Sequence, residues 1–154
     1  RQRQMCIRDS NTFIAAQINL NCNSMLMNGT KISDLVTISG DVHHIFPRAY
    51  LKNNGVANKT KYNQVANYIY LDTQVNKAIN DDSPKIYFTK VKQQCKTKEI
   101  ELGNISDESL LLSNLSENCI PNGIDKMDVS SYDNFLSERR RLMAALIERY
   151  YKGL

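Results

Sequence analysis

The clearest pattern of apolar and polar positions lies near the end of the chain. From about Ser131, apolar residues recur at the three- and four-residue spacing of one helix face, and charged residues fall mainly on the opposite face. The apolar positions are Tyr132, Phe135, Leu136, Leu142, Met143, Leu146, Ile147 and Tyr150. This spacing predicts a long amphipathic helix. We interpret the basic run Arg139-Arg140-Arg141 within it as a solvated face, with contact to a phosphate backbone as the alternative.

Start signals predict shorter helices upstream. Residues 11–22 begin with Asn-Thr and contain clustered apolar side chains, which predicts a short helix. A short element is also expected over 33–38. Ser83-Pro84 places a proline at a first helical position, which favours a helix from there. Residues 106–118 begin with a Ser-Asp-Glu-Ser sequence similar to a capping box.

Two short strands are predicted in the first half of the chain. Residues 68–71 form its densest run of β-formers, and residues 41–46 read as a strand that is stopped by Pro47. The polar stretch 48–63 between them is expected to be a loop with one helical turn at its start. A helix over about 72–80 follows the second strand. The predicted fold is therefore α+β, a small two-stranded core surrounded by helices.

Length and composition narrow the class of protein. A chain of 154 residues with 42% hydrophobic residues suits one domain, or a domain with an appendage. No apolar run approaches the about 18 residues that would cross a bilayer, so no membrane partner is expected. The four cysteines form no Cys-x-x-Cys pair, which favours a reducing compartment over a disulfide framework.

The first ten residues fit poorly with the rest of the chain. Residues 1–10 match, residue for residue, one reading frame of a transposon-end sequencing adapter, and we interpret them as translated adapter. The natural chain would then begin upstream of Asn11, and this would be a C-terminal fragment. Residues 1–10 carry three Arg and one Asp, so the formal net charge of the remainder is +2 instead of +4. The basic pI is therefore weak evidence for nucleic-acid binding.

The residues most suited to chemistry lie around the two histidines of the chain, His43 and His44. Hydrolysis of a phosphodiester needs a base that activates water and a group that neutralises charge on phosphate. An imidazole with its ordinary pKa of about 6.5 can serve as that base, which we assign to His44. His43 and the carbonyl oxygen of Asn76 are assigned as metal ligands. Asn67 is expected to hydrogen-bond across to the first strand and fix the backbone that presents His44.

This assignment carries a geometric requirement. Consecutive residues of a regular strand point to opposite faces, so His43 and His44 can serve one site only if the strand ends or twists there. Pro47 restricts the backbone conformation of the preceding Phe46, which favours an early end of the strand. Asp41 shares a strand face with His43 and is interpreted as a surface acid, with metal ligation as the alternative.

The order of these motifs resembles the HNH (His-Me finger, ββα-metal) endonucleases over residues 41–80. The resemblance is closest to the C-terminal HNH domain of GmrSD-type modification-dependent restriction proteins. It rests on four segments: His43-His44-Ile45-Phe46-Pro47, Val65-Ala66-Asn67-Tyr68-Ile69-Tyr70-Leu71, Ser83-Pro84-Lys85-Ile86-Tyr87-Phe88 and Tyr132-Asp133-Asn134-Phe135-Leu136-Ser137-Glu138-Arg139-Arg140. The resemblance implies a ββα-metal core, DNA as the substrate, and an anti-phage role in the cytoplasm of a bacterium or archaeon. It also implies an upstream ParB-like nucleotide-hydrolysing domain.

Carried over residue by residue, the resemblance gives His44 the place of the general base, His43 and Asn76 the metal-ligand places, and Asn67 the supporting place. Asn76 stands where a strict HNH motif has histidine. One imidazole and one amide oxygen suit Mg²⁺ or Mn²⁺ better than tightly held Zn²⁺. Arg48 and Lys77 are candidates for holding the scissile phosphate, with solvated charges as an equal alternative.

The resemblance divides the chain into four parts. Residues 1–10 are the adapter, 11–38 end an upstream helical region, 39–92 form the nuclease core, and 93–154 are a C-terminal helical extension. Two other functions stay open: a nucleic-acid-binding module that keeps the fold but does not cleave, and a toxin nuclease. The oligomeric state is open as well.

Overall fold

Two short strands, one of which carries His43 and His44, form an antiparallel ladder. The computed structural model describes residues 2–38 and 42–154, with side chains described from Ser10 onward. Strand β1 (Val42–His44) pairs with β2 (Tyr68–Tyr70), so that His43 lies opposite Ile69 and His44 opposite Tyr68. Among the described residues the fold is α+β and mostly helical.

Eight α-helices accompany the sheet in the described part of the chain. They are α1 (Gln2–Asn19), α2 (Ile32–Ile38), α3 (Arg48–Asn53), α4 (Lys59–Tyr62), α5 (Thr73–Ile79), α6 (Pro84–Thr97), α7 (Glu108–Glu117) and α8 (Tyr132–Lys152). Short 3-10 turns span Val65–Asn67, Ile124–Lys126 and Val129–Ser131.

Strand β1 ends at His44, earlier than the predicted strand over 41–46. Ile45 and Phe46 turn inward and are almost fully buried, and Pro47 then precedes the first residue of α3. The buried hydroxyl of Tyr87 donates a hydrogen bond of 2.7 Å to the carbonyl oxygen of Ile45. The strand therefore ends early, as Pro47 favoured, but both histidines lie within the paired strand, where consecutive side chains point to opposite faces. The requirement that the strand end or twist at the histidine pair is not met by this boundary, and a shared site for His43 and His44 stays a prediction.

Side-chain caps mark the starts of α4, α5, α6 and α7. The side chain of Asp72 accepts from the backbone N–H groups of Gln74 and Val75 at the start of α5. Ser83 caps α6, with Pro84 at the first helical position, as predicted. Helix α7 is capped by Asp107 and not by Ser106, because the Asp107 carboxylate accepts from the N–H of Leu110.

The loop predicted over 48–63 contains more helix than expected. Its first turn is α3, and the four-residue α4 was not predicted. Asn58 caps α4 by accepting from the N–H of Thr60 at 2.9 Å, a local signal that the Asn-rich composition of this stretch obscured.

Helix α1 begins at Gln2, upstream of the predicted start at Asn11, and ends at Asn19 instead of Cys22. Gln, Arg and Met are strong helix formers, so a helix can continue through them. The interpretation of residues 1–10 as adapter is untested by this boundary and stays a prediction. No helix in the described part of the chain is long and apolar enough to cross a membrane.

One hydrophobic core joins residues from the N-terminal, central and C-terminal parts of the chain, including Phe13, Phe46, Tyr87 and Phe135. Cys22, Cys95 and Cys119 are buried free thiols, and buried thiols pack as small apolar side chains.

The interpretation of Arg139 as a member of a solvated or phosphate-binding basic run is wrong. Its side chain is 0% exposed, and its Nη1 donates to the carbonyl oxygens of Ala66 at 2.8 Å and Tyr68 at 2.7 Å. Arg139 follows Phe135 by four residues, which places it on the buried face of α8. Burial lowers the pKa of Arg139 to about 10, so the guanidinium keeps its charge at neutral pH.

Candidate active site

His44 is the last residue of β1, and its half-buried ring is held on two sides. Its Nε2 lies 3.0 Å from the Oδ1 of Asn63. The ring of Tyr68, the cross-strand partner of His44, packs edge-on with 5.2 Å between ring centroids. One ring nitrogen is therefore anchored, and Nδ1 has no hydrogen-bond partner among the residues that the structure describes.

The surroundings favour the neutral form of His44. Burial lowers the pKa of His44 below its usual value, and the hydrogen bond with Asn63 partly opposes this effect. The nearby charges of Arg48 and His43 lower the pKa by smaller amounts. A neutral imidazole with one unengaged nitrogen can accept a proton at neutral pH.

Asn67 is fully buried beneath the end of β1. Its Oδ1 accepts from the N–H of Phe46 at 2.8 Å, and its Nδ2 donates to the carbonyl oxygens of Phe46 at 3.1 Å and Tyr62 at 3.2 Å. Its own carbonyl accepts from the N–H of Ile45 at 2.9 Å. The expected cross-strand hydrogen bonds of Asn67 are thus present. At 0% exposure, Asn67 can fix the backbone that follows His44 but cannot itself contact a substrate.

The two proposed metal ligands lie on different elements. His43 is half-buried at the middle of β1. Asn76 is the fourth residue of α5, and its half-buried side-chain amide makes no hydrogen bond within the described residues. Asp41, the alternative ligand, lies outside the described residues. Metal ligation by His43 and Asn76 stays a prediction.

The available donors fit only some metals. No cluster of three or more His, Cys, Asp or Glu side chains that could hold a metal occurs in the part of the chain that is described. If His43 and Asn76 are the ligands, as predicted, one imidazole nitrogen and one amide oxygen would suit a cation that keeps several water ligands and shares substrate phosphate oxygens. Mg²⁺ and Mn²⁺ behave in this way, whereas tightly held Zn²⁺ requires more protein ligands.

The segment between Asp41 and Asp72 is basic. Residues 42–71 contain no Asp or Glu, but they contain Arg48, Lys52, Lys59 and Lys61. Arg48 is exposed at the start of α3, and the Lys52 ammonium lies 5.8 Å from the ring centroid of Tyr62. Lys77, the other candidate for phosphate binding, is exposed on α5. This segment therefore presents positive charge that a polyanion would neutralise.

Asn63 is a site residue that the sequence analysis missed. It follows α4 in a stretch where Asn is common, and no motif distinguishes it from its neighbours. Only the tertiary structure, in which Asn67 joins the backbone of Phe46 to that of Tyr62, brings its amide to the His44 ring. Its position four residues before Asn67 is the one local clue, and that spacing alone predicts no contact with His44.

The resemblance to the HNH nucleases rests on the motifs of this sequence and stays a prediction. The geometry adds a histidine that is anchored through Nε2 and a buried asparagine beneath it. No protein-family model, no curated protein and no solved structure matches the chain.

Proposed function

We propose that this chain is a metal-dependent DNA endonuclease domain of the HNH type, with β1, β2 and α5 as its ββα-metal unit. The observation that carries the proposal is the His44 ring, which is anchored through Nε2 and has no partner at Nδ1 among the described residues. Burial lowers the pKa of His44, which favours the neutral form that a base needs. The basic segment between Asp41 and Asp72 supports a polyanionic substrate.

In the proposed reaction, His44 removes a proton from water through Nδ1. The water oxygen forms a bond to phosphorus as the bond to the 3′ oxygen breaks, and the leaving oxygen takes a proton from solvent. His44 then returns its proton to solvent. Asn67 keeps the turn after His44 in place while the ring changes charge.

His43 and Asn76 would hold a divalent cation, Mg²⁺ or Mn²⁺, which neutralises charge on the phosphate and on the leaving oxygen. Arg48 and Lys77 would bind neighbouring phosphates. Neither side chain is buried, so both can reach a substrate on the surface.

The proposed context is a GmrSD-like modification-dependent restriction protein in the cytoplasm of a bacterium or archaeon. In that context a ParB-like domain upstream hydrolyses nucleotide and selects the DNA, and this chain cuts it. Few phosphate contacts are available here, so this part alone would bind DNA weakly and without preference.

Cleavage of supercoiled plasmid tests the proposal. Wild-type protein should nick or linearise plasmid with Mg²⁺ or Mn²⁺, and His44→Ala should reduce the rate about 10²–10⁴-fold at an unchanged thermal melt. His43→Ala serves as the matched variant, because its loss should be partly recovered at higher Mn²⁺ while the loss in His44→Ala should not. Undiminished cutting by His44→Ala would contradict the assignment. DNA binding without cleavage by the wild type would favour a non-cleaving module.

A further inference from the structure

The contact between His44 and Asn63 determines which nitrogen of the ring carries hydrogen. The Oδ1 atom of Asn63 faces Nε2 at 3.0 Å, and an amide oxygen can only accept a hydrogen bond. A neutral imidazole has one N–H group, so Nε2 carries it and Nδ1 keeps a lone pair. The proposed reaction needs that lone pair.

Asn63 is held firmly although its side chain is exposed. Its backbone N–H donates to the carbonyl oxygen of Lys59 at 3.0 Å, which closes the last turn of α4. The preceding residues are also fixed, because the hydroxyl of Tyr132 donates to the carbonyl oxygen of Lys61 at 2.8 Å. Tyr62 is buried against the core. The backbone that carries Asn63 is therefore anchored to α8.

The buried side chain of Asn67 connects the segment that carries His44 with the segment that carries Asn63. Asn67 bonds the backbone of Phe46, two residues after His44, and the carbonyl of Tyr62, one residue before Asn63. Hydrogen bonds of one buried side chain thus hold the backbone on both sides of the contact between the His44 ring and the Asn63 amide.

We propose that Asn63 is a positioning residue that holds the His44 ring in one orientation and in the Nε2–H tautomer. This inference rests on the proposed function for its catalytic meaning, but its structural content concerns the ring alone. Without the amide oxygen, the ring can rotate about its side-chain torsions and exchange tautomers in solvent. The fraction of molecules with Nδ1 directed at the reacting water then falls.

Two variants of Asn63 separate the effect of its hydrogen-bond acceptor from the effect of its side-chain size. Asn63→Leu keeps the approximate size but removes the acceptor, whereas Asn63→Asp keeps an oxygen that accepts from Nε2–H. Both changes are at an exposed position, so both proteins should fold, which circular dichroism checks. Plasmid cleavage should fall about 10- to 100-fold in Asn63→Leu, as expected for a misplaced base. Asn63→Asp should retain more of the rate than Asn63→Leu.

Imidazole ¹⁵N chemical shifts give the readout that a merely structural role would not move. They are recorded without DNA or metal at about pH 9, where the ring is neutral. Wild type and Asn63→Asp should show Nε2–H alone for His44, and Asn63→Leu should show both tautomers in exchange. A wild-type Nδ1–H tautomer, or unchanged His44 shifts in Asn63→Leu, would overturn the proposal. If the chemical shifts are as expected but the protein cleaves no DNA, Asn63 still positions the His44 ring. The proposed nuclease function would then be refuted.

Discussion

Replacement of Asn67 by alanine should destabilise the protein far more than an ordinary polar substitution. The change removes the acceptor for the Phe46 N–H and the donor to the Phe46 and Tyr62 carbonyl oxygens. The Tyr62 carbonyl retains a long contact of 3.5 Å from the Tyr132 hydroxyl, but the two Phe46 groups have no other partner within the described residues.

The size of the expected destabilisation follows from the backbone groups that lose their hydrogen-bond partner. A buried donor or acceptor that loses its partner costs about 1–3 kcal/mol. With two groups left unpaired at Phe46 and one weakened at Tyr62, we expect a loss of about 2–6 kcal/mol in the free energy of unfolding. That is a large part of the total for a domain, which is about 5–15 kcal/mol.

Urea unfolding followed by circular dichroism measures this loss. Asn76→Ala is the matched control, because Asn76 lies on the same motif but its amide makes no hydrogen bond within the described residues. That control should stay within about 0.5 kcal/mol of the wild type. A loss below about 1 kcal/mol for Asn67→Ala would refute the reasoning, because it would mean that water or backbone adjustment replaces the three hydrogen bonds.

Four further predictions concern the metal, the pH dependence, the buried guanidinium and the DNA. Chelator should abolish plasmid cleavage and added Mg²⁺ or Mn²⁺ should restore it, with a higher metal concentration needed by Asn76→Ala; cleavage that resists chelator would exclude the metal site. Because burial lowers the pKa of His44 and the base must be neutral, the cleavage rate should rise with pH around a midpoint below about 6.5 and fall in more acidic buffer, as a pH–rate profile would show. Arg139→Lys should lower the free energy of unfolding by about 2–3 kcal/mol, since one ammonium cannot span the same set of carbonyl oxygens; urea titration measures this, and a neutral effect would contradict it. A titration at two salt concentrations should show weak, salt-sensitive binding to modified and unmodified duplexes alike, and tight discrimination between them would place recognition within this chain.

Local sequence was sufficient for most of the helices and for both strands. The apolar spacing that predicted the last helix, the Ser83-Pro84 start and the β-formers over 68–71 each act through residues within a few positions. Those interactions are largely independent of the rest of the chain, so their elements appear where they were predicted. The early end of β1 also followed from its neighbour Pro47.

Tertiary structure decided the features that depend on distant backbone. Arg139 looked like its neighbours in a basic run, yet it is buried because carbonyl oxygens of Ala66 and Tyr68, about seventy positions away, accept its hydrogen bonds. The pairing of Asn63 with His44 depends likewise on hydrogen bonds of Asn67 that join Phe46 to Tyr62. The sequence by itself therefore determined which side chains are candidates for the proposed chemistry. Only the fold decided which of them are anchored, because hydrogen-bond partners are chosen by distance in space and not by distance along the chain.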